Sequence, residues 1–106
     1  MRILLDHGTP APLRQAFKDH FVATAYEKGW AGLTNGELLA AAEGAFDVFV
    51  TTDQNLRYQQ NLAGRQLAIL VLPTTSWPRL SPHDAEIAAA AVALRPGELK
   101  EWSFPA

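Results

Sequence analysis

Three short strand-like segments with apolar centres, "RILLD" at residues 2–6, "DVFVTT" at 47–52 with Val48–Val50 in its middle, and "QLAILVL" at 66–72, constrain this chain most. Each centre is apolar at successive positions and does not alternate with polar residues, so each must be covered on both faces. Strands buried on both faces belong to parallel sheets, and parallel neighbours need crossover connections. The intervening segments have helical punctuation. "TPAPLRQAFKDH" reads as a helix with Thr9 as N-cap, Pro10 in the first position, and Leu13, Ala16 and Phe17 facing inward. "LTNGELLAAAEG" has the capping-box spacing Thr34…Glu37, an apolar stripe of Leu38, Leu39 and Ala42, and Gly44 as a stop.

"FVATAY" (21–26) adds a strand, and "NLRYQQNLAG" reads as a shorter helix. Ser81, Pro82 and Asp84 predict the start of an alanine-rich helix running to about Leu94. "ELKEWSF" closes the chain as an edge strand before Pro105. The whole predicts an α/β fold with a mainly parallel sheet and helices on both faces. With 106 residues, no repeat and no linker, residues 1–106 are expected to form one domain.

Composition narrows the function classes. The chain is 48% hydrophobic, enough for a core, and its formal charge of −2 argues against a protein that coats nucleic acid by bulk electrostatics. It does not argue against an enzyme acting on nucleic acid through metal ions, whose site is itself acidic. The absence of cysteine removes disulfides, thiolate metal sites and cysteine nucleophiles, and suits a reducing cytoplasm. No signal peptide or membrane span is expected from the apolar run lengths.

In parallel α/β sheets, ligands collect beyond the C-terminal ends of the strands. Asp6 ends the first strand, Asp53 follows the third, and Glu37 lies in the first turn of the helix leading into the third. If the first and third strands are neighbours, the three carboxylates emerge at one edge. Without cations they repel and lose hydration. Oxygen-only ligands of this kind suit Mg²⁺ or Mn²⁺. A metal there would activate water for phosphodiester cleavage. Each acid also has a local reading: Asp6 as a turn residue, Glu37 as half of the capping box, and Asp53 as the cap of a helix near Asn55.

"RILLDHGTP", "GWAGLTNGELL", "VFVTTDQNL" and "AILVLP", in that order, resemble the small PIN-like proteins of the Mut7-C and DUF5615 type. These are compact relatives of PIN-domain toxins, and the similarity spans roughly residues 1 to 73. The resemblance implies a three-layer α/β/α sandwich and metal-dependent ribonuclease chemistry, often as the toxin of a toxin–antitoxin pair with a small antitoxin protein. It maps the catalytic acids onto Asp6, Glu37 and Asp53. It also suggests that the hydroxyl of one of Thr51 and Thr52 meets Asp53 or the scissile phosphate. Thr52 is the candidate, and for Thr51 the plain reading as a strand residue comes first.

The sequence departs from that pattern in three places. His7 and Gly8 follow the first acid, Asn35 precedes the helix glutamate, and Asn55 follows Asp53, each where another acid is frequent. An amide carbonyl still offers a metal an oxygen but no charge, so one metal is expected to bind well and a second weakly, with Asn55 contributing. Arg14 and Arg57, with Lys18 and Arg65, are candidates for RNA phosphates. Trp30 and Trp77 are candidates for base stacking or core cover. Trp102 and Phe104 suggest either a homodimer surface or packing on the chain's own core. Two other classes compete with the nuclease. One is a catalytically degenerate PIN-like module binding a protein or RNA. The other is a phospho-acceptor receiver domain, disfavoured because the last strand brings no lysine to the acidic edge.

Overall fold

The computed structural model describes residues 1–56 and 64–106. Its centre is one sheet of five strands, β1 (Arg2–Leu5), β2 (Phe21–Thr24), β3 (Val48–Thr51), β4 (Ala68–Val71) and β5 (Leu99–Glu101). They lie in the order β2-β1-β3-β4-β5, and every pairing is parallel. The three apolar runs occupy the three interior places, where both faces need cover. Alternate residues point to opposite faces. Ile3, Leu5, Val48, Val50 and Leu70 pack with Leu13, Phe17, Ile87 and Ala91 on one side. Leu4, Phe49, Ile69 and Val71 pack with Leu38, Leu39 and Ala42 on the other. Full burial of a side chain of this size stabilises the fold by roughly 1.5–3 kcal/mol. A one-residue slip of any interior strand would exchange its two faces.

Helix α1 (Asn35–Ala42) starts at the expected capping box. Thr34 Oγ1 accepts from the Glu37 N–H at 3.3 Å, and Glu37 Oε1 accepts from the Thr34 N–H at 2.9 Å. Two other helical segments differ from expectation. Residues Ala11–Ala16 form a 3₁₀ helix whose N-cap is Pro10, with no side-chain cap. Pro10 and Pro12 remove two N–H donors from this stretch, and the Thr9 hydroxyl is used elsewhere. Leu13 and Phe17 are nonetheless buried as predicted.

Near the C-terminus the helical run begins at Trp77, not after Ser81. The hydroxyl of Ser76 caps α2 (Trp77–Leu80), accepting from the Arg79 N–H at 3.4 Å. Ser81 is in helical conformation and opens a 3₁₀ turn, Ser81–His83, that runs into α3 (Asp84–Val92). Serine followed closely by proline occurs twice here, and the first occurrence starts the helix. Pro82, which lacks an N–H, marks the 3₁₀ interruption.

β5 is the edge strand expected, although shorter. Trp102 is buried and packs with Phe104 on the chain's own core, at 5.2 Å between ring centroids. The expected helix over "NLRYQQNLAG" lies largely outside the described residues, but Leu56 is fully buried in the second core cluster. Among the described residues, no helix is long and apolar enough to cross a membrane.

Candidate active site at the C-terminal edge of the sheet

β1 and β3 are neighbours, with Leu5 opposite Val50. The ladder continues one step further, through the Asp6 N–H donating to the Val50 carbonyl at 3.0 Å. Asp6 and the residues after β3 therefore leave the sheet side by side. Only 6% of Asp6 is exposed. A buried carboxylate without donors would be strongly destabilising. Here Oδ1 accepts from the Thr9 hydroxyl at 2.7 Å and the Gly8 N–H at 3.1 Å, and Oδ2 accepts from the Thr51 hydroxyl at 2.5 Å. Thr9 Oγ1 also lies 3.1 Å from the Val50 carbonyl, which ties the turn after β1 to β3.

Thr51 is fully buried and joins the two acids. While donating to Asp6, its hydroxyl accepts from the Asp53 N–H at 3.1 Å. One strand-end threonine thus fixes the Asp6 carboxylate and the backbone carrying Asp53, a role its reading as an ordinary strand residue missed. Thr52 points toward the turn after β1. A Cβ on Gly8 would lie 2.8 Å from Thr52 Oγ1 and 3.8 Å from Asp6 Oδ1, so only glycine lets the two loops approach this closely.

Asp53 is half-buried and held by Asn35 and Asn55. The Asn35 side-chain amide donates to Oδ2, and the Asn55 N–H donates to Oδ1 at 2.9 Å. Asn35 is the first residue of α1, so this bond docks the start of that helix on the acidic edge. Asn35 therefore presents its NH₂ to a carboxylate where a cation-binding site would want an oxygen. Asn55 acts through its backbone, and its side chain is exposed.

Glu37, two residues along α1, is exposed and turned back onto its own cap. Its pKa is lowered chiefly by the Thr34 N–H, and further by the Thr34 hydroxyl. Arg14 pairs with Glu27, whose carboxylate also accepts from the Thr24 N–H at 2.9 Å. His7 is exposed, and Arg57 lies outside the described residues.

The edge therefore ties the Asp6 carboxylate to the Asp53 backbone through Thr51, and brings Asn35 rather than Glu37 to the Asp53 carboxylate. Among the described residues, no group of three histidine, cysteine, aspartate or glutamate side chains is placed to hold a metal ion. In donor chemistry the two aspartates offer the oxygens a hard divalent cation prefers. Among the described residues no lysine or arginine pairs with either, although the Asn35 NH₂ faces Asp53. In geometry two of the three expected acids are joined. The third would have to leave a solvent-exposed cap. No family model, curated protein or solved structure matches this chain. Of the positions that shape this edge, sequence patterning named Asp6, Asp53, Asn35 and Asn55. It missed Thr9, Gly8 and Thr51, whose only signal was a hydroxyl or glycine within a few residues of an acid at a strand end.

Proposed function

We propose that this chain is a PIN-like metal-dependent ribonuclease whose site is the edge carrying Asp6 and Asp53. One observation carries the reading: the buried Thr51 hydroxyl donates to the Asp6 carboxylate and accepts from the Asp53 N–H, so two acids leave neighbouring parallel strands side by side at the end of the sheet where such folds bind ligands. Asp6 and Asp53 would hold Mg²⁺ or Mn²⁺, with Glu37 as third ligand. Glu37 holds its cap at the surface, where water already competes for the same N–H, so exchanging that contact for a cation is feasible. A divalent cation there would supply activation of water and relief of negative charge at phosphorus. The chain's own residues hold the buried Asp6 carboxylate by three hydrogen bonds, orient Asp53, and bring α1 to the same edge. The resemblance to PIN-domain toxins adds a cognate antitoxin protein to the proposal. Such a partner would cover the acidic edge or insert an arginine into it.

Purified protein should cleave RNA with Mn²⁺ or Mg²⁺, and Asp53→Asn should abolish cleavage. Equal cleavage by wild type and variant would refute the reading.

A second reading, a PIN-like module that binds without cleaving, is favoured by one observation. All three carboxylates already have donors from the protein, Asn35 among them. Calorimetric titration separates the two, because millimolar Mn²⁺ should give heat of binding only for the hydrolase.

A further inference from the structure

The outer edge of β2 carries a groove of about 490 Å³ whose walls include Arg14, Lys18, His20, Phe21 and Val22. Its lining holds Arg14, Lys18 and His20 and no acidic side chain. Arg14 is paired with Glu27 just outside it, His20 Nδ1 lies 3.2 Å from the N-terminal ammonium, and, among the described residues, Lys18 supplies the unpaired charge. We infer that this groove seats the backbone of a single-stranded nucleic acid, with phosphates on Lys18, Arg14 and His20 and a base against Phe21. The choice of nucleic acid is shared with the proposed hydrolase, but the groove needs neither a metal nor cleavage.

The placement is what favours this occupant. β2 is an edge strand of four residues, so the groove beside it runs for about 13 Å. Arg14 sits toward the strand's C-terminal end, where its partner Glu27 caps Thr24, and His20 precedes the N-terminal end. A chain lying along the groove would leave it at the edge of the sheet that carries Asp6 and Asp53. Lys18 is exposed and has no partner among the described residues. Phe21 is 60% exposed although one side of its ring stacks on Phe46 at 6.4 Å, so the ring is held and still open to a second partner. Cations interleaved with an open aromatic ring are the elements of single-strand binding.

An acidic peptide added as a sixth strand fits less well. Phe21 and Ala25 donate to β1, so the outward N–H groups of β2 are those of Val22 and Thr24, and Glu27 occupies the second. A small free anion fits less well too, because it would leave the open face of Phe21 unused.

The test is fluorescence anisotropy with a labelled single-stranded RNA 12-mer in EDTA, on the full chain. Binding should weaken steeply with salt. Lys18→Glu should weaken it at least tenfold, and Phe21→Ala at least fivefold, in line with the loss of one stacked base. Lys28→Glu reverses a charge beside Trp30, outside the groove, and should stay within twofold of wild type. Circular dichroism confirms that each variant folds. The inference is overturned by an absence of binding at low salt, by equal losses for Lys18→Glu and Lys28→Glu, or by equal affinity for an oligoglutamate peptide. Binding without cleavage would overturn only the hydrolase reading, and cleavage without Lys18 dependence only the groove.

Discussion

Replacing Thr51 by valine removes one hydroxyl and almost no volume, so it isolates the bridge between the two aspartates. In the folded chain that hydroxyl donates to Asp6 Oδ2 and accepts from the Asp53 N–H. Its loss leaves one oxygen of a 6%-exposed carboxylate without its donor. A hydrogen bond to a charged group contributes about 1.5–3 kcal/mol, and a buried acceptor left bare sits at the upper end of that range. The expected cost is therefore about 2–3 kcal/mol. For a chain of this length that lowers Tm by roughly 10 °C. Urea unfolding at neutral pH measures it, with two controls. Thr52→Val should change stability by less than about 0.5 kcal/mol, because the Thr52 hydroxyl makes no hydrogen bond among the described residues. Thr51→Ser should recover most of the loss. In a double-mutant cycle with Asp6→Asn, the Thr51→Val effect should shrink by about 1 kcal/mol or more, as expected for residues in direct contact. If Thr51→Val unfolds within about 0.5 kcal/mol of wild type, the hydroxyl does not hold the site together and the account of the acidic edge is wrong.

Gly8→Ala should destabilise by about 1–3 kcal/mol through its contact with Thr52 Oγ1, and Thr52→Ala should relieve part of that cost, measured by the same unfolding assay. Thr34→Ala should cost about 1 kcal/mol as a lost N-cap, with α1 amides exchanging hydrogen faster than those of β3. Glu37 has a folded pKa lowered from 4.5, so its contribution is present above that value and fades as pH falls through the lowered one. Glu37→Gln should therefore be less stable than wild type at neutral pH, and the two should converge below the lowered pKa in a pH series of unfolding curves.

Much of the fold was legible because interior parallel strands leave an unambiguous mark. "VFV" and "AILVL" could only be covered on both faces, and β3 and β4 are buried at every position. Capping chemistry was legible where donor and acceptor are both local, as at Thr34 and Glu37. It misled where the same hydroxyl had a better distant partner. Thr9 looks like an N-cap in the sequence, yet its hydroxyl goes to a buried carboxylate, which needs it more than a water-accessible helix N–H does. The following segment, with two prolines and no cap, settles as a 3₁₀ helix.

The same competition explains the site. The pairing of β1 with β3 sets Asp6 beside the backbone that carries Asp53. The apolar runs mark both strands as interior, but their adjacency enters the sequence reading only as a condition and is a finding of the structure. Which side chains satisfy the acids depends instead on the rotation of each loop, to which hydrophobic periodicity is blind. Asn35 and Glu37 lie on the same first turn of α1, but the amide reaches Asp53 and the carboxylate does not. With no cation present, this choice is the one electrostatics favours. An amide NH₂ stabilises a carboxylate, whereas a second carboxylate would repel it. A divalent cation bound as proposed would reverse the preference, attracting Glu37 and the Asn35 carbonyl oxygen and repelling the NH₂ that faces Asp53. The start of α1 is thus the part of the edge whose arrangement metal binding should change. Asn35 and Glu37, more than the buried and fully hydrogen-bonded Asp6, are where titration with Mn²⁺ should first appear in an amide spectrum.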